Sequence, residues 1–155
     1  MVQSHDVEIA WSAGEDSFTA GAYSRRHVWR FDGGQEVVGS SSPHVVRAPL
    51  SDPFGVDPEE ALVAATASCH MLWFLDLARH AGFDVASYRD GASDELGRIA
   101  PQSFAITRIV LRPTITFDGR QPSAEQLANL HHEAHRRCFI ANSLKAEIVV
   151  EAPEV

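Results

Sequence analysis

Cys69 and Cys138 are the only two cysteines of this chain and carry its most reactive side-chain chemistry. A thiolate is a nucleophile, and two thiols can cycle between a dithiol and a disulfide. A buried cysteine is also a common small hydrophobe, so each residue taken alone reads well as inert core. Two cysteines make neither a secreted disulfide framework nor a four-ligand zinc site. Either both are inert or they act together in redox work.

An active thiol here needs a cation, because apolar surroundings raise a thiol's pKa. Cys69 falls in the middle of an apparent helix and gains nothing from a helix N-terminus. Glu59 precedes it by ten residues, about 15 Å of helix, which is too far to touch the thiol but near enough to hold a long cation. Residues 18–31 read as a strand in which Tyr23, Arg25, His27, Trp29 and Phe31 share the inward face. Arg25, rather than Arg26, is then the inward cation. An arginine bridging a carboxylate and a thiolate would lower the thiol pKa and present donors to an oxygen substrate. Glu59 reads equally as a first-turn acid that favours the helix dipole.

The elements that must position these residues follow from pattern. Residues 57–76, DPEEALVAATASCHMLWFLD, open with a capping Asp57, Pro58 at the first helical position and Glu60 where a capping box needs an acid. Between residues 61 and 75 the only polar side chains are Thr66, Ser68, Cys69 and His70, which predicts a helix buried on all sides and stopped at Gly82. Val7, Ile9 and Trp11 alternate as a first strand, and Asp32-Gly33-Gly34 turns the 18–31 strand back into a third ending at Gly39. Residues 40–55, punctuated by Pro43, Pro49 and Pro53, read as an ordered loop.

Beyond the long helix, residues 85–89 read as a short strand and 90–102 as a polar loop. Residues 104–111 and 114–117 read as two strands or one bent one, with Pro113 at a bulge or edge. Pro122-Ser123 with Gln126 starts a second helix whose stripe is Leu127, Leu130, Ala134 and Cys138, interrupted at Asn142-Ser143. Residues 146–150 close the domain as a last strand. The pattern is α+β with mostly antiparallel strands, expected as one domain over 1–155. A sheet of this size covers one side of the long helix, so a homodimer is the expected way to bury the other.

Composition narrows the function. The net charge of -8, with a single lysine at Lys145 and scattered arginines, argues against nucleic acid as a partner. Residues 1–10 carry His5, Asp6 and Glu8 where a signal peptide needs a basic and then apolar stretch, which predicts a cytoplasmic protein. The apolar run 61–75 is shorter than the about 20 residues that span a bilayer, so no membrane role is expected.

The stretch Asp57-Pro58-Glu59-Glu60-Ala61-Leu62 followed by Ser68-Cys69-His70-Met71 resembles the helix of the OsmC/Ohr family, the osmotically inducible and organic hydroperoxide resistance proteins. The segment His131-His132-Glu133-Ala134-His135-Arg136-Arg137-Cys138-Phe139-Ile140-Ala141-Asn142-Ser143 is similar to that family's second-cysteine segment. Phe139 stands where the family usually has Pro, and Tyr23-Ser24-Arg25-Arg26-His27 replaces its Gly-Gly-Arg-Asp-Gly motif. The resemblance implies an OsmC-like fold, with sheets around a long buried central helix plus a second helix, in an intertwined homodimer. It implies a thiol peroxidase in which Cys69 is the nucleophile, Cys138 the resolving thiol, and Glu59 and an arginine, taken as Arg25, serve the thiolate. No bound cofactor is implied. The expected partners are an organic hydroperoxide and an external dithiol reductant of lipoyl or thioredoxin type.

Other functions remain open at this level. A relative without chemistry would be a ligand-binding dimer, and a hot-dog thioesterase also wraps a sheet around a long helix but needs no thiol pair. His131 and His135 lie one turn apart with Cys138 a turn further, a spacing workable for a metal. It is not the HExxH motif, since Arg136 stands where the second histidine belongs and would repel a cation with Arg137. Solvated surface histidines are the plainer reading.

Overall fold

The computed structural model describes residues 3–151. The ends of the expected domain, 1–2 and 152–155, lie outside the described residues. The chain divides into two compact units, Met1–Ala61 and Leu62–Val155, each described by itself.

In the first unit β1 (Val7–Ala10), β2 (His27–Phe31) and β3 (Glu36–Gly39) form an antiparallel meander. The β2–β3 turn is the one the sequence predicts at Asp32-Gly33-Gly34. Gly34 has φ +83°, its N–H donates to Phe31 O at 2.9 Å, and Phe31 N–H donates to Gln35 O at 3.0 Å. A left-handed conformation costs glycine least, which fixes its place in this turn. The strand expected over 18–31 is a correction, because only His27–Phe31 is strand. Residues 18–26 instead follow a tight turn closed by the Ser17–Ala22 bridge and by Gly21 at φ +74°. The aromatic alternation that mimics a strand there is a ring cluster. Tyr23 packs on Trp11 and Phe18 with centroids 5.4 and 4.8 Å away. Residues 40–55 are an ordered loop, pinned where Ser40 N–H donates to Val56 O and Asp52 N–H to Ser40 Oγ, at 3.0 and 2.9 Å.

Helix α1 (Pro58–His80) begins in this unit with the expected capping box. Glu60 N–H donates to Asp57 Oδ1 at 2.8 Å, and Asp57 N–H donates to Glu60 Oε2 at 3.2 Å. Two amide donors that the first turn would leave open are thereby satisfied. The helix ends in the second unit at Gly82, φ +76°. Phe83 N–H reaches Ala78 O and Gly82 N–H reaches Arg79 O, at 3.0 and 3.1 Å, a Schellman closure.

The second unit adds β4 (Asp84–Asp90), β5 (Ser93–Ala100), β6 (Ser103–Leu111), β7 (Pro113–Asp118), α2 (Ala124–Arg137), α3 (Phe139–Ser143) and β8 (Glu147–Val150). β4 pairs antiparallel with β7, while β6 sits between antiparallel β5 and parallel β8. The polar loop expected over 90–102 is therefore a correction, since most of it is strand β5. Its Ser93, Asp94, Glu95 and Arg98 suit an edge strand, where charge discourages further pairing. Pro113 opens β7, a position where the missing N–H costs no ladder bond.

The core of this unit is Phe74 and Ala78 of α1, Phe83, and Leu127, Leu130 and Ala134 of α2, with β4 and β7 side chains packed against them. Only the α1 row Thr66, His70, Phe74 and Ala78 is buried. Within the single chain one side of the helix is covered, as the sequence reading expects of one copy. Among the described residues the row through Ala65, Ser68 and Leu72 is left exposed, Leu72 at 60%. By length and composition α1 could cross a membrane, but its inner row is occupied by protein core.

Candidate thiol site

Cys69 sits half-buried on α1, and Cys138 is buried, 1% exposed, where α2 meets α3. Cys138 has extended backbone, φ −64° and ψ 115°, so the second helix breaks at the cysteine and not first at Asn142-Ser143, a correction to the sequence reading. The break is held locally. Cys138 N–H donates to His135 O, Asn142 Nδ2 donates to Arg136 O, and Cys138 Sγ accepts the Ala141 N–H at 3.4 Å as the cap of α3.

Both thiols are free, and they are neighbours. Burial pushes the Cys138 thiol up to about 11, and the adjacent Cys69 thiol raises it further through a hydrogen bond and charge repulsion; the Ala141 and Ile140 N–H groups oppose this. Cys138 therefore stays protonated at neutral pH. Cys69 lines a cavity of about 580 Å³ whose wall is mainly Leu72, Trp73, Phe139 and Ile140. Trp73 meets Phe139 edge to face at 5.7 Å, and the Arg137 guanidinium lies 5.8 Å from the Trp73 ring centre. The arrangement places one thiol at an apolar opening and a second, buried one nearby.

Arg25 and Glu59 come together elsewhere, on a second cavity of about 520 Å³ within the first unit. Arg25 is fixed to its own loop. Its N–H donates to Leu50 O at 2.8 Å, Nη1 donates to Tyr23 O at 2.6 Å and Gly21 O at 3.3 Å, and the guanidinium stacks 3.9 Å over the Tyr23 ring. Among the described residues Nε and Nη2 meet no acceptor and Arg25 makes no ion pair with Glu59, which leaves guanidinium donors for a ligand. Arg26 is engaged by Asp52 at 3.1 Å on the exposed side. The strand parity used to separate the two arginines does not apply, since both precede β2.

A buried histidine pair went unrecognised in the sequence. His70 and His131, 1% and 5% exposed, stack nearly parallel with His70 Nε2 and His131 Nδ1 3.1 Å apart. His131 is thus no solvated surface residue. Burial pushes both imidazoles down to about 4, with the neighbouring charges of His131 and His135 adding to the effect on His70. Among the described residues His70 Nδ1 and His131 Nε2 are buried without a partner. The available signal was a histidine on the row Thr66, His70, Phe74, Ala78 of an apolar helix. Among the described residues no three His, Cys, Asp or Glu side chains converge as metal ligands.

A family model described as OsmC-like protein matches residues 51–152. An OsmC-like protein of unknown function from Vibrio cholerae superposes with TM-score 0.95 and 45% identity, covering 98% of this chain and 100% of that one. An organic hydroperoxide resistance protein from Elizabethkingia anophelis gives TM-score 0.71 at 16% identity over 98% and 95% of the two chains. Another from Bacillus subtilis gives 0.70 at 15% over 97% and 98%. These last two are alike in fold. No curated protein matches the chain. Fold, sequence match and element order agree along its length, and the chain belongs to the OsmC-like family.

Proposed function

We propose that the protein is a thiol-dependent peroxidase that reduces organic hydroperoxides to alcohols. The observation that carries the reading is a pair of free thiols close enough for Cys69 to raise the Cys138 pKa, Cys69 lining an apolar cavity. Cys69 is the nucleophile. Its thiolate attacks the outer peroxide oxygen, the O–O bond breaks, and the alkoxide leaves as alcohol on taking a proton, with Cys69 now a sulfenic acid. Cys138 condenses with it, forming the disulfide and releasing water. An external dithiol of lipoyl or thioredoxin type then restores both thiols. The raised Cys138 pKa suits a resolving thiol, because a protonated sulfur is spared direct oxidation by the substrate.

Arg25 is assigned the cation that favours charged sulfur and transferring oxygen, and Glu59 the carboxylate beside it on the same cavity. The apolar wall of Leu72, Trp73, Phe139 and Ile140 favours an alkyl or aryl hydroperoxide over hydrogen peroxide. The working form is a cytoplasmic homodimer of one OsmC-like domain per chain. The test is intact mass and thiol count after one equivalent of cumene hydroperoxide. Wild type should lose two thiols to an internal disulfide, and Cys138→Ser should stop at sulfenic or over-oxidised Cys69. Survival of both thiols refutes the reading.

A further inference from the structure

We infer that His27, held in one tautomer by Trp29, is the positioning residue for Arg25, an inference that rests on the role just given to that arginine. The indole Nε1–H can only donate, and it lies 2.6 Å from His27 Nε2. His27 Nε2 must therefore accept, so a neutral His27 carries its proton on Nδ1. That nitrogen is 2.8 Å from Arg25 O and donates to it. The ring thus links the first strand residue of β2 to the arginine two positions before it, where no ladder bond can do so.

The rest of the unit is shaped for this bond. Gly39 faces His27 across the β2–β3 ladder. A Cβ at Gly39 would lie 2.5 Å from both His27 Nε2 and Trp29 Nε1, so any side chain there would part the two rings. Arg25 is held from its other side by its N–H bond to Leu50 O. With both peptide groups of Arg25 fixed and Nη1 bound to Tyr23 O, the guanidinium lines the cavity that Glu59 also lines. Fixing a donor before substrate arrives is what raises a rate, since misplacement by about 1 Å can cost up to about 100-fold. His27 acts through Arg25 and needs no contact with substrate.

The experiment has a structural and a kinetic arm, both on the full chain. Nitrogen-15 NMR of histidine-labelled protein should find His27 protonated on Nδ1, and Trp29→Phe should move the Nε2 resonance by removing its donor while the proton stays on Nδ1. In the second arm Cys69 oxidation by cumene hydroperoxide is followed under pseudo-first-order conditions. His27→Leu should lower the rate constant about tenfold. His27→Asn, whose amide can replace the Nδ1–H donor, should stay within about threefold of wild type. A wild-type Nε2–H tautomer, or equal rates for His27→Leu and wild type, overturns the inference. A wild type inert to the hydroperoxide sinks the peroxidase reading instead, and the tautomer then decides alone whether His27 holds the Arg25 loop.

Discussion

Replacing His131 by Leu should remove half of the acid sensitivity that the buried histidine pair gives this fold. The neutral forms of His70 and His131 fit their buried site, and both pKa values fall from 6.5 to about 4. In the unfolded chain each histidine takes up a proton as the pH drops through 6.5, while the folded chain does not until about 4. The stability is therefore complete above 6.5 and is lost as the pH falls toward 4. A shift of this size corresponds to about 3 kcal/mol per histidine, and the two together to a limiting slope of about 2.7 kcal/mol per pH unit. Urea titrations followed by tryptophan fluorescence between pH 7 and 4.5, at fixed protein concentration, measure that slope. His131→Leu should be less stable at pH 7, because His70 Nε2 loses its partner, yet its slope should be shallower by about 1.4 kcal/mol per pH unit. Carboxylates titrate alike in both proteins and cancel in the comparison. Equal slopes, or a flat wild-type profile, would refute the argument.

Other outcomes follow from single contacts. Phe74→Ala opens a void at the fully buried centre of the second unit and should cost about 3–5 kcal/mol by urea denaturation. Asp57→Ala removes the capping box and should cost about 0.5–2 kcal/mol, read in the same assay. Gly82→Ala forces a side chain into φ +76° and should cost about 1 kcal/mol. With iodoacetamide, half-buried Cys69 should react before Cys138 at neutral pH, and Cys138 should follow only as the pH approaches its raised value or the chain unfolds; equal labelling at pH 7 contradicts the geometry.

Local signals were the legible ones. The α1 start at Asp57, Pro58 and Glu60 and its stop at Gly82 are short-range chemistry, and so is the Ser123–Gln126 box that opens α2. Segments 18–26 and 90–102 misled for opposite reasons. In the first, aromatic residues that pack on one another around a turn copy the period of a strand. In the second, an edge strand wears the polar composition of a loop. The cysteine positions could be proposed from motif spacing, but their proximity could not, since it brings α1 near the α2–α3 junction. The His70–His131 pair spans 61 positions and leaves no local trace beyond one histidine on an apolar row.

Cys138 Sγ does two things at once, since it neighbours Cys69 and it accepts the Ala141 amide that starts α3. A covalent bond to Cys69 would set the Cys138 side-chain torsion by disulfide geometry and take that choice away from the cap. The five-residue α3 is too short to hold its first turn without help. Hydrogen exchange at the Ala141 amide would then act as a gauge of oxidation, protected in the dithiol and labile in the disulfide, and a reductant would meet a backbone that differs between the two.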